Sequence, residues 1–233
     1  MKTETNEKNR GSADAAPRAK APRRGRRPGG EVSGRGALLA AAQKLFSRSG
    51  FAGASLREVA REAEVAPALV CQLFGSKEGL YDALLDHLAQ EQRVQLGRID
   101  ELTREASAHP RAALEGWLRM LVEIGPALSD VPALLMHEVD PGRAADADPE
   151  DGARFNAVTE KLIHPFRTAS LPLIRRALDA GVIRGSSPEL VFSLLMGAAS
   201  ATLLAPEIAG GARCADEDFR ARTAEVLLAL VLR

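Results

Sequence analysis

The stretch SLREVAREAEVAPALVCQLFGSKEGLYDALL, Ser55 to Leu85, decides how the chain folds. Ser55 and Glu58 stand at the S-x-x-E spacing of a capping box, in which each side chain satisfies an orphan amide at a helix start. Leu56, Val59, Ala60 and Ala63 supply the apolar face of a short helix. Glu64, Val65 and Ala66 break it. Pro67 suits the first position of the next helix, because its missing N–H would be unpaired there anyway. Val65, Val70 and Phe74 anchor that helix inward. Ser76 caps a further helix, in which Leu80, Ala83, Leu84, His87 and Leu88 recur at helical offsets. Two helices joined by a turn of about four residues, flanked by amphipathic helices, form a compact DNA-reading unit. The same periodicity also suits a plain helical hairpin inside a bundle.

Working outward, SGRGALLAAAQKLFSRSG (33–50) puts Leu38, Ala41, Ala42, Leu45 and Phe46 on one helical face. Gly50 follows where a left-handed cap is wanted. Residues 1–30 hold nine Lys/Arg against Glu4, Glu7 and Asp14, a net charge of +6. The rest of this formally neutral chain therefore carries −6. With much Pro and Gly and almost no large apolar residues, this arm cannot offset its ordering entropy and is expected to be disordered when free. Over the 233 residues, hydrophobic types make up 45% and aromatics only 4%, with Ala, Leu, Glu and Arg abundant, which favours helices over sheets. No apolar run is long enough for a membrane span, and no apolar signal segment opens the chain. Two cysteines, Cys71 and Cys214, do not make a disulfide framework and fit a reducing compartment, most simply the cytoplasm.

The residues from Ala37 to Leu84 resemble the tetracycline-repressor (TetR) family of bacterial regulators. The resemblance is carried by A-A-x-x-L-F at Ala41 to Phe46, G-F at Gly50 and Phe51, and Ser55 followed by Val59 and Ala60. V-x-P-A-L-V from Val65 to Val70, then Phe74, then S-K-E-G-L from Ser76 to Leu80 complete it. It implies an all-α chain with a three-helix DNA-binding head and a helical effector-binding and dimerisation body. It also implies a homodimer on a palindromic operator, usually a repressor released by a small molecule. The domains then read as a basic arm (1–30), a helix-turn-helix head (31–85, with the motif at about 55–74) and a body (86–233). Four residues depart from the family pattern. Glu64 stands where Gly is usual and Ala66 where Ser or Thr is usual. Cys71 and Leu73 replace a Tyr and a His or Tyr that the family uses mostly on the DNA backbone.

With those phosphate contacts gone, the expected DNA-facing residues are Ser55, Arg57, Pro67, Ala68, Leu69, Gln72 and Lys77. Lys77 matches a family position that meets phosphate, and a helix start adds its own positive end. Gln72 can pair bidentately with adenine, while Ala68 and Leu69 offer only apolar contact, for example to a thymine methyl. Arg57 can reach a phosphate or a base edge. In PRRGRRPGG, Arg23, Arg24, Arg26 and Arg27 can lie along a narrow minor groove, and the string is an inexact match to AT-hook peptides. A merely solubilising tail is the competing reading.

In the body, Trp117, Met120 and Leu121 are core candidates that could also wall a pocket, with Phe155, His137 and His164 as further pocket candidates. Pro165 and Pro172 interrupt helical runs where kinks open space. The acidic stretch around Asp140 to Asp151 lacks the spacing of an EF-hand and reads as a solvated loop, so no metal is expected. Leu190, Leu194, Gly197, Ala198 and Ala201 on one helix, with Phe219, Val226, Leu227 and Leu230 on the last, are expected to form a four-helix dimer interface. No catalytic motif or cofactor signature is present in the sequence, so an enzyme is not expected. The alternative is a ligand- or partner-binding helical dimer whose DNA head is degenerate.

Overall fold

The computed structural model describes residues 30–128, 130–138, 149–204 and 217–232. Helix α1 (Gly30–Gly53) is interrupted at Gly50, whose φ of 69° is positive, as the sequence suggested, but whose ψ of 175° is extended and not that of a left-handed cap. Three short elements follow: α2 (Leu56–Glu62), α3 (Pro67–Phe74) and the longer α4 (Lys77–Glu91). Then come α5 (Arg93–Glu105), α6 (Pro110–Leu128), α7 (Asp130–Glu138) and α8 (Pro149–Val158). Next, α9 (His164–Asp179) is entered through one π turn, Thr159–Ile163, and α10 (Pro188–Leu204) and α11 (Glu217–Val231) close the chain. Among the described residues the only extended pairing is one antiparallel bridge between Ile183 and Leu232. No described helix is long and apolar enough to cross a membrane.

The π turn has a cause in the sequence. Pro165 has no N–H to give to the carbonyl one turn back, and an interior proline disturbs an α-helix at that point. The chain resets its register instead: the His164 N–H reaches the Thr159 carbonyl, five residues back. Pro172, by contrast, lies exposed inside α9.

Buried side chains fall into two principal cores. The first joins Leu38, Phe46, Val59, Val70, Leu80 and Leu84 of α1–α4 to Val131 and Leu134 of α7 and to Val158 and Leu162 around the π turn. The second unites Ile99, Trp117, Phe166, Ile174 and Phe192 of α5, α6, α9 and α10 with Leu228 of α11. Helices α7 and α8 thus pack with the first four helices, although the sequence suggested one body from residue 86 onward. Three links fasten them there. His137 Nε2 lies 3.0 Å from the Ser47 carbonyl, Lys161 donates to Asp86 at 2.7 Å, and the Arg154 guanidinium stands 4.3 Å over the Phe51 ring.

Candidate nucleic-acid interface

The capping box at Ser55 is complete. The Glu58 N–H donates to Ser55 Oγ at 3.2 Å, and Glu58 Oε2 accepts from the Ser55 N–H at 3.0 Å and from its hydroxyl at 2.7 Å. The Ser55 hydroxyl, foremost, holds the Glu58 carboxyl below the usual carboxylate range. At the far end, α2 closes in a Schellman motif: the Val65 N–H reaches the Ala60 carbonyl at 2.9 Å and the Glu64 N–H reaches that of Arg61 at 3.2 Å. That motif needs a left-handed residue, and Glu64 occupies it at φ 54°. The glutamate that stands where the family usually has glycine therefore takes a left-handed backbone.

Helix α3 starts at Ala66 with no side-chain cap and Pro67 in the first turn. Val70 is buried, and Leu69, Leu73 and Phe74 are half-buried against the first core. Leu69 reaches back to α1, where a Cβ on Gly34 would meet its Cδ2 at 3.2 Å. Leu69 is therefore partly committed to packing, as is Leu73. What α3 presents to solvent is Pro67, Ala68, Cys71 and Gln72. Gly75, at φ 75°, turns the chain, and Ser76 Oγ accepts from the Gly79 N–H at 3.0 Å to start α4. Gly79 sits hard against α3: a Cβ there would stand 2.2 Å from the Phe74 carbonyl oxygen. The glycine sets the angle between the two helices.

Lys77 is half-buried at the start of α4. Its ammonium lies 4.5 Å over Phe51 and donates to the Ala52 carbonyl at 3.4 Å, and partial burial draws its pKa down. Arg57 and Ser55 are exposed at the start of α2. Arg35, which the sequence reading did not single out, stands 4.8 Å over Phe74 and adds a cation where α1 meets α3. Its only sequence signal was a lone arginine in SGRG ahead of the apolar run. Arg23, Arg24, Arg26 and Arg27 lie outside the described residues.

Residues 38–84 match the family model of bacterial regulatory proteins, tetR family. That match covers the helix-turn-helix segment, which is of the tetR type. The HTH-type transcriptional repressor Rv3405c of Mycobacterium tuberculosis is 41% identical over 61 residues, 26% of this chain and 32% of that protein. The HTH-type transcriptional regulator Mb3439c of Mycobacterium bovis matches to the same extent, so this chain spans about a third of the length of the curated relatives it matches. Likeness of fold runs further. The MbdR regulator from Azoarcus sp. CIB superposes with a TM-score of 0.63 at 18% identity, over 84% of this chain and 97% of that one. AibR, solved with isovaleryl coenzyme A and operator DNA, gives 0.59 at 18% identity, over 85% and 98%. The all-α architecture, a helix-turn-helix head followed by a helical body, is that of tetR-family structures.

Behind the tetR-type head, the expected pocket residues take other positions. Trp117, Met120 and Leu121 are buried in their own core, and Trp117 Nε1 donates at 3.0 Å to Ser170, which donates at 2.8 Å to the Phe166 carbonyl. His137 is a strut between α7 and α1, its ring packed against Gly50. His164 is exposed beside Glu160 at 3.3 Å, and Phe155 is half-buried on α8. Trp117, His137 and His164 thus each have a polar neighbour within the chain, which periodicity could not reveal. Of the expected interface residues, Leu190, Leu194, Val226 and Leu230 are 64%, 73%, 58% and 77% exposed. Gly197 and Ala198 are exposed and Phe219 is half-buried, while the side chain of Ala201 lies outside the described residues. Leu227 departs from the expectation: it is buried with Val122 and Ala224 in the chain's own packing. On α11 it stands one turn before Leu230 on the flank that packs against Val122 of α6, while Leu230 stays exposed.

Proposed function

We propose that this chain is a homodimeric DNA-binding transcriptional regulator, a repressor released from a palindromic operator by a small molecule. The observation that carries the reading is α3 itself. Its inner side is packed, both ends are fixed by tight turns, and Pro67, Ala68, Cys71 and Gln72 face solvent as a rigid rod that fits a major groove. The relatives' printed functions, a transcriptional repressor and a regulator on operator DNA, support it. Gln72 is the polar base reader, Arg57, Lys77 and Arg35 meet phosphate, and Arg23, Arg24, Arg26 and Arg27 supply the cationic grip that Cys71 and Leu73 do not. Leu190, Leu194, Val226 and Leu230 form the outward apolar face through which two copies pair, which sets two heads about one helical turn apart on DNA.

The test is fluorescence anisotropy with the DNA upstream of the chain's own gene, for the full chain and for a form lacking residues 1–30. The full chain binds as a dimer, with affinity falling steeply as salt rises. Removing the arm weakens binding by about two orders of magnitude or more and flattens the salt slope, because fewer counterions are released. No binding to any DNA at low ionic strength would favour the second reading, a ligand- or partner-binding dimer. The uncharged outward face of α3 motivates that alternative.

A further inference from the structure

The face that α3 turns to solvent carries no charge. Its eight residues, PALVCQLF, include no Arg, Lys, Asp or Glu. Val70 is buried, and Leu69, Leu73 and Phe74 pack on the first core. Pro67, Ala68, Cys71 and Gln72 are therefore what a base pair beneath α3 meets. Cations nearby do not fill the gap. Arg35 lies 4.8 Å over Phe74 and Lys77 lies 4.5 Å over Phe51, each held on a ring of the head. Arg57 stands on α2 rather than α3.

The chemistry of the major groove sorts the pairs that such a face accepts. Guanine there shows two acceptors, O6 and N7, which call for the paired donors of Arg or Lys. Against the Gln72 amide, guanine sets an acceptor opposite the amide carbonyl. Adenine instead shows one donor, N6–H, and one acceptor, N7, and the Gln72 amide matches them with its carbonyl and its NH2 group. Beside it, Ala68 and Cys71 offer a methyl and a thiol, one apolar and the other only weakly polar. The thymine methyl gains from that contact, whereas cytosine has only a hydrogen at the same place.

We infer that the base pairs read by α3 are A·T. Gln72 holds one adenine bidentately, and thymine methyls of adjoining steps seat against Ala68 and Cys71. The inference rests on the regulator reading and names the class of operator that it requires, one with an A·T core in each half-site and the thymine methyl as an identity element. The arm would give the same bias from the other groove, because arginines also favour narrow, A·T-rich minor grooves. Inosine·cytosine pairs separate the two sources. Inosine is guanine without its 2-amino group, so the pair shows the G·C pattern in the major groove and the A·T pattern in the minor groove.

The experiment selects duplexes from a random library with the full chain at low salt, then compares the selected site with substituted copies by competition anisotropy. The consensus carries A·T pairs in the core of each half-site. Inosine·cytosine in place of the pair under Gln72 weakens binding about tenfold or more. Uracil in place of a contacted thymine weakens it about threefold to fourfold per methyl. Gln72→Ala, shown by circular dichroism to be folded, shrinks the inosine·cytosine penalty at one pair per half-site and leaves the uracil penalties in place. Three results each overturn the inference: G·C at the pair that Gln72→Ala relaxes, inosine·cytosine and uracil tolerated throughout, or a Gln72→Ala protein with every penalty unchanged. Tolerance of both analogues in an A·T consensus assigns the bias to the arm. A G·C core sinks this inference and keeps the regulator, whereas a library that yields no bound DNA sinks the regulator reading and the inference with it.

Discussion

Replacing Glu64 with glycine should stabilise the protein. The turn after α2 holds Glu64 at φ 54°, while the turn after α9 solves the same problem with Gly181 at φ 68°. In that second Schellman motif the Val182 N–H reaches the Ala177 carbonyl at 2.9 Å and the Gly181 N–H reaches Leu178, also at 2.9 Å. A left-handed L-residue costs about 1–2 kcal/mol that glycine avoids. Glycine returns roughly 0.4–1 kcal/mol through its freer unfolded state. Glu64 is exposed, so its side chain takes little packing with it. The net gain is about 0.5–1 kcal/mol, which in a chain of this length raises Tm by about 1–4 °C. The control is Glu64→Ala, which removes the same carboxylate but keeps the strained backbone and should stay within about 0.5 kcal/mol of the parent. Urea denaturation of the three proteins at neutral pH provides the measurement. If Glu64→Gly proves no more stable than Glu64→Ala, the strain argument for this turn is wrong.

Four further perturbations follow from the structure. Gly79→Ala should cost about 3 kcal/mol, because its Cβ would press on the Phe74 carbonyl oxygen at 2.2 Å. Gly97→Ala in α5, where a Cβ meets nothing within 4 Å, should instead gain up to about 1 kcal/mol; thermal melts of the pair measure both. Glu58 has a folded pKa below its unfolded one, so its contribution is complete above the ordinary carboxylate range and is lost as pH falls through the folded value. The Tm advantage of the parent over Glu58→Gln should therefore shrink between about pH 6 and about pH 3, followed by calorimetry. Leu194→Glu with Leu230→Glu should give a folded monomer by light scattering, since these side chains are 73% and 77% exposed in the single chain. A parent protein that is itself monomeric would remove the proposed pairing.

Much of the head was legible because its determinants are local. The Ser55–Glu58 box, Pro67 at a helix start, the Ser76 cap and the positive-φ positions at Gly50 and Glu64 each act within about one turn of backbone, so spacing alone exposes them. The apolar offsets likewise named Val70, Leu80 and Leu84 as core. Periodicity tells which face of a helix is apolar, but not what lies opposite. Hence Trp117 and Met120 could be read as pocket walls until the second core closed over them, and His137 as a ligand contact until α7 set it on the Ser47 carbonyl. Leu227 and Leu230 both sat on one apolar stripe, and only the packing of α11 on α6 turned the first inward and left the second exposed.

The packing of α8 on the head was the least legible feature. Phe51 and Arg154 are distant along the chain and share no motif. Long-range packing brings them together, and no local rule encodes that contact. The amino-acid sequence by itself determined where the helices start, stop and turn, because hydrogen-bond satisfaction at helix ends is settled among near neighbours. Tertiary structure alone decided which apolar faces meet, which cations lie over rings and which leucines remain outside, because burial depends on elements distant along the chain.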